Sequence, residues 1–269
     1  MSMITELDLW VVVKAYPVMD ASSMSEAVCV AGVSASEPRR WLRLFPLDFR
    51  ALPPDQRFKK YQRIAVRARR PRGDTRPESW AAELDSIRVH AEMSTDDGSW
   101  RRRRELVDPL MLRSLCELKR CQAQDKTSLG VFRPKEVTDL VIEPVDPSRW
   151  EAKKGLVDQQ SLLGARRRTL QALPIRCRYK FMCEEGSCPG HELSLIDWEM
   201  GAPCYRLVSM GKSVNEIAIE MRRLFLDRVC GPDRDVRFIC GNVAAHPKSF
   251  LVVGVMWPSA AAVAQPTLF

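Results

Sequence analysis

The sequence predicts an α+β protein with an N-terminal β-barrel domain and a smaller C-terminal α/β domain. Short apolar segments separated by proline and glycine fill about the first 70 residues, as is typical of small barrels. Helical periodicity becomes prominent only later in the chain. A length of 269 residues with 45% hydrophobic composition is enough to bury two cores. We expect domains over residues 1–146 and 147–258, followed by a tail over residues 259–269.

The predicted elements follow in order along the chain. Six N-terminal segments read as strands: Trp10–Tyr16, Ala27–Val33, Trp41–Phe45, Tyr61–Arg69, Ile87–Met93 and Val137–Ile142. Val137–Ile142 is expected to close the barrel. Three segments have helical spacing: Asp108–Gln122, Asp158–Leu173 and Ser213–Val229. The last begins with a capping box of Ser213 and Glu216. Two final strands are expected at Val236–Cys240 and Phe250–Met256.

The loop after Pro174 has the composition of a metal site. Cys183, Cys188 and His191 fall within nine residues between two strand-like segments, in a loop rich in glycine and proline. Thiolates and imidazole bind zinc in a tetrahedral shell, so the sequence predicts a zinc knuckle with one ligand unassigned. The alternative is a pair of semi-buried thiols beside a surface turn. The candidates for the fourth ligand are Cys204, Cys230, Cys240, His246, a carboxylate or water.

Other cysteines bear on this site. Cys177 precedes Cys183 by six residues of extended chain, roughly 20 Å at about 3.3 Å per residue, so it is not expected to share the ion. Cys116 and Cys121 form a second C-x4-C pair, which could join the knuckle cysteines in a zinc or iron–sulfur site. Helical residues five apart diverge by about 140°. We therefore expect Cys116 and Cys121 to be structural thiols.

The positive charge of the chain is concentrated in one region. Residues 39–72 hold twelve lysines or arginines against two aspartates, whereas the whole chain has a formal net charge of +8. The alternation in Tyr61–Arg69 places a row of arginines on one strand face. Guanidinium groups bind phosphates bidentately, so this basic patch predicts nucleic-acid binding. The candidate residues are Arg39, Arg40, Trp41, Arg43, Lys59, Lys60, Arg63, Arg67, Arg69 and Arg70.

Aromatic residues alternate with arginine in the preceding strand. Trp41, Arg43 and Phe45 share one strand face, as in single-strand binders that stack bases on aromatic rings. The alternative is that the rings belong to the core and the arginines to a solvated face. The Arg101–Arg104 run leaves the same choice between an extension of the patch and a solvated loop. The CVAGV…WLRLFP step resembles OB-type barrels, which implies an OB-like barrel for this domain.

One carboxylate pair could support catalysis. Asp197 and Glu199 lie two residues apart in an expected strand, so their carboxylates would share one face, as a metal-dependent nuclease requires. The local sequence supplies neither a nearby lysine nor a glycine-rich phosphate loop. We therefore expect a structural or salt-bridging pair. A metal-dependent nuclease or base-modifying enzyme that uses Asp197 and Glu199 is the alternative function.

Longer motifs carry a family resemblance. They are VKAYP, EAVCVAGV, WLRLFPLDFR, RGDTRPESW, PIRCRYKFMC, CPGHELSLIDWE and GNVAAHPKSFLVVGVMWP. These motifs resemble the signature of an uncharacterised family of bacterial and archaeal proteins, with a C…CxGH loop, a DWE strand and a GN…P…F strand. The resemblance spans most of the chain and implies a chain-long architecture that includes the knuckle. It implies no activity.

The last five residues resemble the peptide by which bacterial polymerases and repair proteins bind the sliding clamp. Gln265, Leu268 and Phe269 match its Q-x-x-L-F form, in which Gln contacts a polar rim and the apolar residues fill a pocket. Pro266 stands where leucine is frequent. The resemblance implies a clamp partner and favours DNA over RNA.

Cysteine usage and hydropathy indicate the compartment. An odd number of cysteines, nine, and the absence of a basic leader predict a reducing compartment, the cytoplasm. The longest apolar stretch, Phe250–Ala264, is interrupted by Pro258 and is too short to span a bilayer. We therefore expect a cytoplasmic nucleic-acid-binding protein with a structural zinc site, in DNA repair, replication or phage defence.

Overall fold

The computed structural model describes residues 3–16, 18–20, 25–96, 98–146 and 173–264. The helix expected at Asp158–Leu173, apart from its last residue, and the whole of Gln265–Phe269 lie outside these residues. Within them, the chain has thirteen strands and five α-helices. No helix in the described part of the chain is long and apolar enough to cross a membrane.

The N-terminal part is a closed five-stranded β-barrel with two additional strands. Its strands are β1 (Thr5–Lys14), β2 (Val18–Asp20), β3 (Ser25–Ser34), β4 (Trp41–Leu47), β5 (Gln62–Arg69), β6 (Ser79–Ala82) and β7 (Arg88–Glu92). The ring runs β1-β3-β4-β6-β5, and β5 pairs with β1 to close it. All neighbours in the ring are antiparallel except β4 and β6. The predicted small barrel is confirmed.

Strand alternation builds the core of this barrel. The apolar side chains of β5 are buried and its arginines are exposed, as the sequence pattern predicts. In β1, a bulge between Val11 and Val13 interrupts the alternation. As a result Val11 lies in the barrel core, whereas Val12 and Val13 pack against the second half of the chain. Four 3-10 turns connect elements, at Phe49–Ala51, Pro54–Gln56, Leu84–Ser86 and Asp108–Leu110.

The C-terminal part contains a second set of paired strands. Its elements are α1 (Arg101–Val107), α2 (Leu115–Asp125), β8 (Leu129–Phe132), β9 (Glu136–Pro144), β10 (Ile175–Met182), β11 (His191–Ser194), α3 (Trp198–Ser209), α4 (Val214–Arg222), a π-helical turn (Arg223–Arg228), β12 (Arg237–Val243), β13 (His246–Met256) and α5 (Ala260–Ala264). Ser213 and Glu216 form the predicted capping box of α4. One sheet contains β9, β10 and β11, and another contains β8, β12 and β13. A parallel bridge between Leu195 and Val252 joins the two sheets.

The two parts have the same strand order. Only residues 133–135 separate β8 from β9, so the two behave as one bent strand. The second ring then runs β8/β9-β10-β11-β13-β12 and returns to β8. Each ring has one parallel pair of neighbours, β4 with β6 in the first ring and β11 with β13 in the second. We expected a zinc-knuckle α/β domain in this half of the chain, and its described residues contain both this ring and the helices α2 to α5.

The placement of β9 corrects a prediction. Val137–Ile142 is a strand as expected, but it pairs with β10 and does not close the first barrel. Strand alternation specifies which face is buried and leaves the pairing partner open.

An apolar interface joins the two rings. Its buried side chains include Val12, Val33 and Trp41 of the first ring and Leu129, Val131, Ile239, Val253 and Met256 of the second. Polar contacts accompany it, including two from the segment just before β6. The Glu78 carboxylate accepts a hydrogen bond from Ser128 N at 2.9 Å, and Arg76 Nη1 donates to Asn242 O at 2.7 Å. The outer face of β3 and β4 is therefore covered in part by the second half of the same chain.

Candidate metal centre and basic cleft

Four potential metal ligands converge in the second ring. The ligand atoms of Cys116, Cys183, Cys188 and His191 all lie within 4.8 Å of one another. His191 Nε2 is 3.3 Å from both Cys116 Sγ and Cys188 Sγ. Tetrahedral ligands about 2.0–2.3 Å from an ion are about 3.5–3.8 Å apart, which is close to these separations. These four residues could therefore bind a metal ion.

Two elements bring the four side chains together. Cys183 follows the end of β10 and His191 begins β11, so a hairpin joins the two ends of the cysteine loop. Cys116 lies in the first turn of α2, which Ser114 caps. Glu185 in the loop accepts a hydrogen bond from Ser114 Oγ. The loop and the helix are therefore fixed to each other at the cluster.

Burial shifts the pKa values of the residues in the cluster. Burial and the neighbouring thiols of Cys183 and Cys188 raise the pKa of Cys116 to about 12. Burial likewise raises the pKa of Cys183, although the amides of Leu115 and Cys116 oppose this rise. Burial lowers the pKa of His191, which favours the neutral imidazole. A divalent cation would stabilise the thiolates by its charge, and its binding would release their protons.

Cys116 occupies the position that the sequence left open. We expected Cys116 to be a structural thiol, but its Sγ lies within the cluster and could bind a metal ion, whereas Cys121 lies outside it, in line with the helical divergence. The cluster also excludes the other described candidates: Cys204, Cys230, Cys240 and His246. Cys204 and Cys240 lie instead in the apolar core. The C-x4-C spacing of Cys116 and Cys121 does not reveal which thiol joins the loop, because Cys116 lies on a separate helix far upstream of it.

The arginine row of β5 lies at the surface but is partly neutralised. Arg63 Nε donates to Asp8 Oδ1 at 2.8 Å, and Arg67 Nε lies 2.9 Å from Glu83 Oε2. Arg69 is exposed and forms no ion pair with the described residues. Of the three side chains, only Arg69 is therefore free of a competing carboxylate in the described part of the chain.

The other surface candidates are dispersed. Arg39 Nη1 donates to the carbonyl of Ser34 at 2.8 Å. The Arg70 guanidinium lies 4.0 Å from the ring centroid of Trp80. Two further candidates are exposed: Arg40 and Lys59.

Trp41 and Arg43 correct the expectation of an open β4 surface. Trp41 belongs to the interface core between the rings. Arg43 is 3% exposed and donates to the carbonyls of Asn242 at 2.6 Å and Ser128 at 2.8 Å. The second ring covers both side chains. Alternation along β4 indicates a shared face but does not reveal what packs on it.

A cleft of about 380 Å³ opens between the rings beside Arg43. Phe45 and Arg43 of β4 line it, and Arg72 and Arg76 reach it from the loop after β5. Arg76 Nη2 is paired with Asp74 at 2.7 Å, whereas Arg72 is exposed and has no ion pair among the described residues. The buried Nε of Arg43 has no hydrogen-bond partner. We call this site the basic cleft, because three guanidinium groups face one carboxylate there.

Asp197 and Glu199 lie at the start of α3 and not in a strand. Asp197 is the N-cap of α3, and its carboxylate accepts hydrogen bonds from Glu199 N and Val255 N, each at 3.1 Å. Lys60 Nζ lies 3.0 Å from Asp197 Oδ2 and 3.0 Å from Glu199 Oε2. The expected strand is therefore wrong, because a two-residue spacing also fits a helix cap and its first turn.

Lys60 is accordingly buried in an ion-pair group and not on the predicted nucleic-acid surface. Its side chain is 7% exposed. Burial is the largest single influence and lowers the pKa of Lys60. Asp197 and Glu199 together outweigh it and raise the pKa, so the amine stays protonated. Asp197 is 2% exposed and both its oxygens are occupied, which leaves no position for a metal ion.

Lys14 lies next to this ion-pair group. Its Nζ is 3.7 Å from the ring centroid of Phe49 and 4.6 Å from that of Trp198. Burial, followed by the charge of Lys60, lowers the pKa of Lys14 to about 8. No sequence pattern singled out Lys14, because its surroundings come from three distant segments.

Comparisons with known proteins divide the chain in two. Residues 5–109 match the family described as Domain of unknown function (DUF8758). Residues 111–269 match Domain of unknown function (DUF8757), which covers more than half of the chain. No curated protein matches the sequence. The two matches meet just before α2, the helix that carries Cys116. The chain belongs to the family of the domain of unknown function DUF8757.

Proposed function

We propose that this protein binds nucleic acid in the basic cleft and that a zinc ion at the cysteine–histidine cluster holds its second ring in shape. The observation that carries the proposal is the position of the cleft on the outer face of β3 and β4, beside the loop that follows β5. An aromatic ring and several guanidinium groups meet there.

The strand order supports an OB-type assignment for the first barrel, and the repeated order extends it to the second ring. OB domains bind oligonucleotides on the face of their second and third strands and on the loops that follow the first and fourth strands. Counted along the chain, the five barrel strands are β1, β3, β4, β5 and β6, so β3 and β4 are the second and third. The loop carrying Arg72 and Arg76 follows β5, the fourth. The basic cleft is the part of this face that the second ring leaves open.

The contents of the cleft suit a single-stranded segment. Phe45 offers a ring on which a base can stack, and Arg72 offers a guanidinium without a competing carboxylate. A volume of about 380 Å³ accommodates one nucleotide. DNA is the favoured nucleic acid because the C-terminal peptide Gln265–Phe269 resembles clamp-binding peptides. We include in this proposal that the peptide binds the sliding clamp and that the protein acts in DNA repair, replication or phage defence.

The metal site supports a structural role. The four side chains would complete a tetrahedral shell around an ion, whereas catalytic zinc sites keep one position open for water or substrate. Cys188 lies in the loop between β10 and β11, His191 begins β11 and Cys116 lies on a helix, so a bound ion would tie the β10–β11 hairpin to α2. The alternative, a metal-dependent nuclease that uses Asp197 and Glu199, is less well supported because Asp197 is buried and fully hydrogen-bonded.

Fluorescence anisotropy with labelled single-stranded DNA, duplex DNA and single-stranded RNA tests the cleft. We expect single-stranded DNA to bind most tightly, and Phe45→Ala and Arg72→Glu each to weaken it by about tenfold. Arg101→Glu changes the same charge at an exposed position outside the cleft and is the matched control. Equal loss in Arg72→Glu and Arg101→Glu, or unchanged binding in folded Phe45→Ala, would refute the assignment of the cleft.

A further inference from the structure

A second cavity, of about 450 Å³, lies where α1, α3 and the π-helical turn meet. Trp100 and Trp257 line it, and one arginine reaches it from each of three elements: Arg103 of α1, Arg206 of α3 and Arg228 of the π-helical turn. It shares no lining residue with the basic cleft. We call it the tryptophan pocket.

The charges around the tryptophan pocket are unbalanced. The guanidinium groups of Arg206 and Arg228 have no hydrogen-bond or ion-pair partner in the described part of the chain. Arg103 Nη2 donates to the carbonyl of Met93 at 2.8 Å, and its guanidinium lies 3.9 Å from the ring centroid of Tyr61. Among the described lining residues, the only carboxylate is that of Glu199.

The lining therefore has a local charge of +2, from three arginines and one glutamate. Lys60 and Asp197, which contact Glu199 and each other, carry opposite charges and cancel. A pocket with this excess of positive charge attracts an anion, since low-dielectric walls strengthen the field inside a cavity.

Two backbone irregularities border the pocket. Trp100 has a φ of 54°, in the left-handed region that bulky residues rarely adopt. On another wall, the π-helical turn Arg223–Arg228 supplies Leu224, Phe225 and Arg228. Both features are costly or rare in ordinary structure and recur at ligand sites. Here they bring an indole and a guanidinium to the same cavity.

We propose that the tryptophan pocket binds a nucleoside monophosphate, either free or as the phosphorylated end of a nucleic-acid strand. A phosphate monoester carries a charge of about −1.5 to −2 near neutral pH, which matches the charge of the lining. The arginines bind the phosphate, and the indole of Trp257, which packs against that of Trp100 with ring centroids 5.6 Å apart, stacks on the base. The Glu199 carboxylate accepts a hydrogen bond from a ribose hydroxyl or an exocyclic amine. This site is separate from the basic cleft and goes beyond the proposed function.

Isothermal titration calorimetry of the full-length protein with the four nucleoside 5′-monophosphates tests the pocket. We expect at least one of them to bind at one site per chain. Arg228→Glu should weaken binding by at least about tenfold, because it removes a charge-assisted contact and adds repulsion. Trp257→Ala should weaken it by a similar factor. Arg101→Glu, on the exposed side of α1 outside the lining, should change it by less than about twofold.

Two further comparisons identify what is recognised. The matching nucleoside and inorganic phosphate should each bind at least about tenfold more weakly than the monophosphate, because each lacks one half of the contacts. Competition by a 5′-phosphorylated oligonucleotide, but not by its 5′-hydroxyl form, assigns the site to a strand end. Competition by neither assigns it to a free nucleotide.

Three results overturn the proposal: no binding of any monophosphate by the folded protein, equal loss in Arg228→Glu and Arg101→Glu, or inorganic phosphate binding as tightly as the nucleotide. Circular dichroism establishes that each variant is folded. Phe45→Ala is expected to leave this titration unchanged, so failure of the basic cleft and failure of the tryptophan pocket are distinguishable.

Discussion

The two rings of this chain share a strand order but are held together differently. In the first barrel the third strand, β4, has seven residues and forms two parallel residue pairs with β6. In the second ring the third strand, β11, has four residues, and within the described residues a single bridge, from Leu195 just after β11 to Val252, joins it to β13. The cysteine–histidine cluster lies at the start of β11. A metal ion bound at this cluster would give the second ring the order that strand pairing gives the first barrel.

The largest expected effect comes from the metal ligands. Elemental analysis should find about one zinc per chain, and Cys116→Ser, Cys183→Ser or His191→Ala should release it. We expect each change to lower the free energy of unfolding by more than about 4 kcal/mol, since binding free energy at a structural site contributes to folding. Hydrogen exchange should show greater loss of protection in β10 and β11 than in β1 and β5.

Cys121→Ser is the matched control for these variants. Cys121 lies on the same helix as Cys116 but outside the cluster, so zinc should stay bound. Metal loss in Cys121→Ser, or protein purified without chelators that contains no metal, would contradict the assignment. Uniform loss of hydrogen-exchange protection over both rings would break the comparison between them.

Replacement of a covered and of an open arginine of the first barrel should differ in stability cost by about 2 kcal/mol. Arg43→Ala removes a buried guanidinium that donates to two carbonyls of the second ring, so we expect a loss of about 3 kcal/mol in urea denaturation. Arg63→Ala removes a surface pair with Asp8 and should cost less than about 1 kcal/mol. Similar losses in the two variants would show that the ring interface contributes little to stability.

Removal of the Lys14 amine should stabilise the first barrel. Burial lowers the pKa of Lys14 from 10.5 to about 8, so the folded protein holds this proton less tightly than the unfolded chain does. Lys14→Met should raise the free energy of unfolding at pH 7 by about 2 kcal/mol. The unfolded chain binds more protons between pH 8 and 10.5, so the advantage of Lys14→Met should shrink as the pH rises through this range.

Urea denaturation of the wild type and Lys14→Met at pH 7 and pH 9.5 measures this difference. Lys59→Met, which changes an exposed lysine of the same barrel, should alter stability by less than about 0.5 kcal/mol at both pH values. A destabilised Lys14→Met protein would show instead that the contacts with Phe49 and Trp198 outweigh the cost of burial.

A smaller effect is expected from the arginine row of β5. Asp8 already neutralises Arg63, and Glu83 neutralises Arg67. Reversal of Arg63, Arg67 and Arg69 to glutamate should therefore lower the salt dependence of nucleic-acid binding by about one phosphate contact. Arg72→Glu alone should lower it by as much. If the salt dependence of the triple variant falls by about three phosphate contacts, the nucleic-acid backbone follows β5 and not the cleft.

Deletion of Gln265–Phe269 should have the smallest effect on the isolated protein. The peptide lies outside the described residues, and zinc content, stability and nucleic-acid affinity should all be unchanged. The expected loss is a micromolar interaction with the bacterial sliding clamp, about 8 kcal/mol of binding free energy, measured by surface plasmon resonance. Absence of clamp binding by the full-length protein would remove the clamp from the proposal.

Local patterns determined much of this protein. The alternation in β5 fixed which side chains enter the barrel core, and the spacing of Ser213 and Glu216 fixed the start of α4. The loop with Cys183, Cys188 and His191 is compact in sequence, so its ligand character is visible without the fold. In each case the interacting residues are near one another in the chain.

Tertiary structure decided the rest. Cys116 joins the cluster from a distant helix, β9 pairs with β10, and Arg43 is covered by the second ring. Lys60 meets Asp197 and Glu199, although the sequence around that pair contains no lysine. The physical reason is the same in all four. Periodicity and spacing encode which face is buried, whereas the identity of the partner depends on contacts between segments that only the folded chain brings together.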